Sequence, residues 1–381
     1  MKFIKEKLLD RVKCCICGSY ELRESFRLES FPIYMGTTTD SPEGDLFADQ
    51  NWNICGECGC IQLGKLIPIE ILYESNHSGG AIGKIWKDHH SLFASLIVST
   101  HSKSILEIGG AHGFLAELIL TASKNIKYTM VEPSVTKEVP GVAYVKGFIE
   151  NNLDLLKEAD KFVHSHVLEH LYEPIEFLNQ VSQNMRLGSQ MFMSIPNIAR
   201  LIATDGANSL NFEHTYYLST RQLEFVLNRL GFKIIEKRAF LQHSYFYWVE
   251  KIDNESIHEK LPNIETESIS FANMWEKLMQ FVNRVNMYLD KERDIPVYIF
   301  GAHVFAQSLI HLGLQTKSIV GILDNSPSKI GERLYGTNLQ VFSPEVIKSY
   351  DRVIVVLKAS HYQEEISAQL RSLNDKVVIL D

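Results

Sequence analysis

Apolar residues along this chain follow two alternating rhythms. Ile85, Trp86, His89, Phe93 and Leu96 recur at the spacing of helical turns and predict a helix with one buried face. Ser104–Ile108 is a short apolar run that predicts a strand, and it opens onto a glycine-rich turn. Phe114, Leu115, Leu118 and Ile119 then mark the buried face of a second helix. Tyr128–Val131, Lys161–Val167 and Met191–Ile195 predict further strands, the last stopped by Pro196. Strands that alternate with helices predict a mostly parallel sheet covered by helices on both faces. The same alternation restarts at Pro296, with a strand to Phe300, a turn at Gly301, and another strand ending at Asp324.

Breaks in this pattern divide the chain. Residues 1–75 hold all six cysteines and many turn formers, residues 76–240 carry the first alternation, residues 241–290 read as a charged helical connector, and residues 291–381 carry the second alternation. A length of 381 residues fits two or three domains at roughly 100–200 residues each. With 45% hydrophobic and 22% charged residues, the composition is that of a soluble globular protein. A net charge of −8 argues against a surface built to coat nucleic acid. The longest apolar run, near Leu92–Val98, is too short to span a bilayer. Charges interrupt every apolar stretch of the first fifteen residues, so no export signal is expected and the expected compartment is the cytoplasm. In that reducing setting paired cysteines point to metal rather than to disulfides.

The cysteines support that reading. Cys14-x-x-Cys17 and Cys55-x-x-Cys58 are each followed directly by a glycine, Gly18 and Gly59, which gives a tight knuckle the permissive backbone it needs. Two such pairs suit a tetrahedral Zn²⁺ site with no open position, and therefore a structural one. Cys15 and Cys60 fall outside the pattern.

The turn after the first strand is the most informative stretch. Glu107 precedes Gly109, Gly110, Ala111 and Gly113, and the next strand closes on Glu132. Glycines let the backbone turn sharply and approach a ligand, and an acid closing the second strand can accept both hydroxyls of a ribose. The G-x-G-x-x-G spacing of a dinucleotide site is absent. The loop resembles motif I of the class I methyltransferases, with Ala111 at the middle glycine. That resemblance implies S-adenosylmethionine (SAM) as cofactor, held by Glu107, Gly109, Gly110, Ala111, Gly113 and Glu132. It also implies a class I, Rossmann-like α/β core.

Chemistry-bearing side chains gather beyond two later strands. His164 and His166 alternate and are expected to share one strand face, with Glu169 and His170 just after them. In open α/β sheets ligands sit beyond the carboxyl ends of strands, so His166, Glu169 and His170 are expected near the cofactor methyl. The Gly/Asn/Asp-rich stretch Asp205–Asn208 suits a lid, and Glu213-His214 follows it. A neutral histidine can remove a proton near pH 7 while a carboxylate orients it.

Taken together these features resemble the sugar C-methyltransferases of deoxysugar pathways over nearly the whole length. The matching parts are a zinc-binding N-terminal domain, a central SAM domain and a C-terminal Rossmann-like domain. The resemblance implies methylation of a nucleotide-linked sugar, with Tyr73, His170, Glu213 and His214 as acceptor-orienting and acid/base groups. Asn211 and Phe212 stand where the family has a tyrosine and a histidine. The family's Gly-Ala-x-x-Lys-Gly signature is missing after Phe300. O-methylation of a sugar or another small-molecule hydroxyl therefore stays open, and a nucleic-acid methyltransferase or a non-catalytic scaffold stands further off. The expected partner is a small-molecule acceptor, with neither nucleic acid nor membrane, on a monomer or homodimer.

Overall fold

The N-terminal third builds its core from strands whose alternate residues are apolar. Strands β1 (Leu22–Pro32) and β2 (Leu46–Cys55) pair antiparallel, and β3 (Ile61–Leu63) pairs with the end of β2. Trp52 of β2 is fully buried and stacks on Tyr217 at 5.3 Å. This computed structural model describes residues 2–4, 7–73, 83–110, 112–123, 125–204, 210–253, 260–359 and 362–381. Ala111, the expected lid at 205–208 and the residues just after Tyr73 lie outside these.

The predicted alternation follows. Helix α1 (Lys84–Val98) buries His89, Phe93, Leu96 and Ile97, as its spacing requires. Next come β4 (Ser104–Ile108), α2 (Phe114–Ala122), β5 (Lys127–Glu132), β6 (Val142–Lys146), β7 (Lys161–Ser165), α3 (Pro174–Asn184) and β8 (Gln190–Pro196). Helix α4 (Ile198–Ala203), the two-residue strand β9 (Tyr216–Tyr217) and α5 (Thr220–Arg229) lead into the hairpin β10 (Phe232–Phe240) and β11 (Ser244–Lys251). The sheet order is β6-β5-β4-β7-β8-β11-β10, and β11 runs antiparallel to both its neighbours while the first five strands are mutually parallel. Chain order reverses between β4 and β7, so the crevice beyond their carboxyl ends is the topological switch point where such sheets take ligands.

Two expectations change here. The stretch after residue 240 was expected to be a helical connector, yet residues 244–251 form β11, inside the sheet. Phe246, Tyr247 and Val249 are fully buried there, so tertiary burial overrides any local helical bias. Strand β7 ends at Ser165, and His166 adopts a left-handed backbone at φ 54°. His164 and His166 were expected to share a face; the turn instead sends them apart. His164 packs against Phe162 and Phe177, and His166 against Trp86 of α1.

Helix α6 (Glu265–Leu289) ties the two ends of the chain together. Phe271, Met274 and Trp275 join the N-terminal core, while Phe281, Val285 and Leu289 join the C-terminal one. The C-terminal sheet is parallel, built from β12 (Val297–Phe300), β13 (Ile319–Leu323), β14 (Val341–Phe342), β15 (Val353–Val356) and β16 (Val377–Leu380) in the order β14-β13-β12-β15-β16. A buried bidentate pair, Arg333 to Asp45 at 2.7 Å, links it to the N-terminal strands. Among the described residues no helix is long and apolar enough to cross a membrane.

Candidate active site

The glycine turn sits on a rigid shelf. Gly109 and Gly113 adopt φ 71° and 65°, a region L side chains rarely enter. A Cβ on Gly110 would stand 2.6 Å from Met130 Cε and 2.8 Å from Glu107 Cδ, and one on Gly109 would stand 2.5 Å from Val167. The last contact shows that the turn after β4 touches the turn after β7. Glu107 is buried beneath the loop and accepts a hydrogen bond from Tyr128 Oη at 2.7 Å. Burial, opposed by that bond and reinforced by Glu132, pushes its pKa up to about 7. Glu132 is buried at the end of β5 and accepts from Ser134 N at 2.9 Å.

The Glu107 shift gives a stability prediction with a definite sign. A carboxyl whose folded pKa is raised contributes most below its unfolded value near 4.5, and that contribution is lost as pH climbs through about 7. Glu107→Gln is therefore expected to remove up to about 3 kcal/mol of stability loss between those pH values. Denaturant melts of both proteins from pH 4.5 to 8 check this. Parallel pH profiles would contradict it.

Beyond β7 the side chains converge on one carboxylate. Glu169 is buried, and its Oε1 lies 2.9 Å from His166 Nδ1. Burial alone would raise its pKa, but His166, His170 and His214 hold it down at about 2, so it stays ionised. The His170 and His214 rings lie 4.9 Å apart, and His170 Nδ1 is 3.9 Å from Glu213 Oε2. Burial raises the Glu213 pKa, with His170 opposing. Tyr73 follows the short helix Ile69–Leu72 and is half-exposed; desolvation first, then the charge of Glu213, drives its hydroxyl above the ordinary tyrosine range. Tyr73, His170, Glu213 and His214, far apart in sequence, thus share one neighbourhood, whereas Tyr217 is buried against Trp52.

The two departures at 211 and 212 have structural explanations. Asn211 Oδ1 accepts from the backbone N–H of Glu213 at 2.8 Å and of His214 at 2.9 Å, a local turn that fixes both residues. Phe212 is buried in the N-terminal core beside Phe31. Just beyond, β9 pairs with β3, Leu63 N donates to Thr215 O, and the buried Arg11 guanidinium donates to Thr215 O and Tyr172 O. The N-terminal domain therefore holds the segment bearing Glu213 and His214. Sequence reading expected Glu169 near the cofactor methyl without giving it a role, and left Asn211, His89 and His243 out of the site. The i, i+3 spacing of His166 and Glu169 was the available signal for Glu169.

The four expected cysteines also meet. Cys14 Sγ lies 3.7 Å from Cys58 Sγ, and Cys17 Sγ lies 3.5 Å from Cys55 Sγ. A tetrahedron of thiolates with Zn–S bonds of about 2.3 Å has edges of about 3.8 Å, so the quartet fits a single such ion. Gly18 and Gly59 take φ 76° and 74°, and Gly18 N and Gly59 N donate to Cys14 O and Cys55 O respectively.

Comparison with known proteins agrees with this architecture. A methyltransferase-domain family model matches residues 85–237, and a C-methyltransferase C-terminal-domain model matches residues 258–379. An O-methyltransferase family protein from Burkholderia thailandensis is similar at 12% identity, covering 45% of this chain and 58% of its own, with a TM-score of 0.38. Human N-acetylserotonin methyltransferase, solved with SAM, is similar at 14% identity, covering 44% and 57%, with a TM-score of 0.34. The chain thus spans less than two thirds of either protein. No curated protein matches. Fold and matched model together define a methyltransferase domain of class I over residues 85–237. With the second domain matched as well, the two matched domains are consistent with a C-methyltransferase-like family.

Proposed function

We propose that this protein methylates a nucleotide-linked sugar at a carbon beside a carbonyl, with SAM seated on the Gly109–Gly113 turn and its ribose on Glu132. The observation that carries the carbon reading is the C-methyltransferase C-terminal domain matched at 258–379, joined to a cleft that gathers His170, Glu213 and His214. SAM supplies an electrophilic methyl on its sulfonium. His214 removes the proton from the carbon next to the carbonyl, Glu213 and the ionised Glu169 stabilise the imidazolium that results, and Tyr73 and His170 orient the carbonyl oxygen. His166, held by Glu169, lines the cofactor side of the crevice. Attack needs an in-line approach of carbon to methyl, so the rigid placement of both turns at the switch point is a large part of the rate. The four cysteines hold a structural Zn²⁺.

The same cleft could take a hydroxyl proton and methylate oxygen, the chemistry named for the Burkholderia neighbour. Turnover with a panel of nucleotide-linked 4-keto and fully hydroxylated sugars, read by proton NMR, separates the two. A new methyl on carbon, from keto sugars only, is the expected result. A methoxy signal would overturn the carbon assignment. Turnover only with acceptors lacking a sugar would overturn the substrate class.

Asn211→Ala gives a finer test, since it frees the turn that presents Glu213 and His214. It is expected to lower kcat about 10-fold with little change in SAM affinity, the pattern of a misplaced rather than missing base. Wild-type kcat would remove the positioning role.

A further inference from the structure

Beside the proposed cofactor cleft lies a second histidine cluster, which shares only His166 with it. His89 comes from α1, His166 from the turn after β7, and His243 from the turn between β10 and β11, so three distant segments meet. Their ring centroids stand 5.4, 5.8 and 5.6 Å apart, an almost equilateral triangle. Trp86 caps it, with its ring 5.2, 4.9 and 4.7 Å from the three imidazoles.

We propose that His89, His166 and His243 form a site for one divalent first-row transition ion of the Zn²⁺ class. One donor nitrogen from each ring lies within 4.8 Å of the other two. The four rings make a nearly regular tetrahedron, whose centre is about 3.2 Å from each centroid. A ring nitrogen turned toward that centre would stand about 2 Å away, the length of a zinc–imidazole bond. Outer partners that fix such ligands are already present. Glu169 holds His166 Nδ1 at 2.9 Å, and Ser194 Oγ holds His89 Nε2 at 2.8 Å. His89 is fully buried, and its Nδ1 has no hydrogen-bond partner among the described residues. A buried lone pair without a partner is costly and suits a cation. Ser244 Oγ, 3.0 Å from His166 Nε2 and 2.5 Å from His243 Nδ1, supplies an oxygen beside the two more exposed rings. An ion there would lock His166, and through it Glu169, against His170 and His214.

The test is a Co²⁺ titration of untagged, metal-stripped wild-type protein and of His243→Ala and His89→Gln. Two ions per wild-type chain are expected. One should show the sulfur-to-metal charge transfer of the cysteine quartet, and the other only d–d bands, since imidazole has no thiolate. Each variant should keep the first ion and bind the second at least about 100-fold more weakly, more than loss of an outer partner produces. Saturation of wild type at one ion, or second-ion affinity unchanged in both variants, would overturn the site. His243 lies in a turn, so its variant keeps the test readable if His89→Gln fails to fold. Calorimetry with SAM on the same samples reports on the cofactor cleft separately, so the two readings can fail independently.

Discussion

His214→Ala is expected to lower kcat by about 100-fold or more while SAM affinity stays within a few-fold, the size and pattern of a lost general base. His214 is fixed through Asn211 and through Thr215 N donating to Glu169 O, so truncating its side chain leaves the segment in place. The glycine turn and Glu132 do not depend on it. Glu169 stays ionised across the working range, since three histidines hold its pKa at about 2, and it remains to stabilise His166 and His170. Single-turnover rates beside calorimetric SAM binding make the check. A variant with unchanged kcat would pass the base role to Glu213, whose pKa burial has raised. A collapse of SAM affinity would mean that the residue supports the cofactor pocket instead.

Removing the Zn²⁺ proposed at the cysteine quartet is expected to do more than unfold a small domain. Cys58→Ser, or a strong chelator, should lower the melting midpoint by on the order of 10 °C and abolish turnover together. The second knuckle is a joint between parts of the chain far apart in sequence. Gln222 of α5 donates to Cys58 O at 2.9 Å, Ile264 N donates to the same oxygen at 3.1 Å, and Ser268 Oγ donates to Gly59 O at 2.7 Å. The direct pairing of β3 with β9 then carries the consequence to Glu213 and His214. Scanning calorimetry and activity on the same chelated samples decide it. Full activity with an unchanged midpoint after complete metal loss would show that the thiols pack without an ion.

Local chemistry was legible wherever it depended on neighbours in sequence. The CxxC-glycine knuckles, the glycine turn after a strand, the acid closing β5 and the helix faces of α1 and α2 follow from spacing alone. Spacing reflects backbone geometry, and backbone geometry is local. The fate of residues 244–251 was not legible, because a buried strand and a buried helix segment share an apolar composition. Only pairing with β8 and β10 selects between them.

The chain by itself therefore determined the α/β class, the two CxxC knuckles that meet, and the glycine turn that ends β4. Only the tertiary structure decided that the N-terminal strands grip the segment bearing Glu213 and His214. It likewise decided that Glu169 bridges two groups of histidines, and that His89 and His243 meet His166 beneath Trp86. The physical reason is that these are contacts between segments up to about two hundred residues apart, created when separate apolar faces are buried together. No local pattern encodes such a meeting.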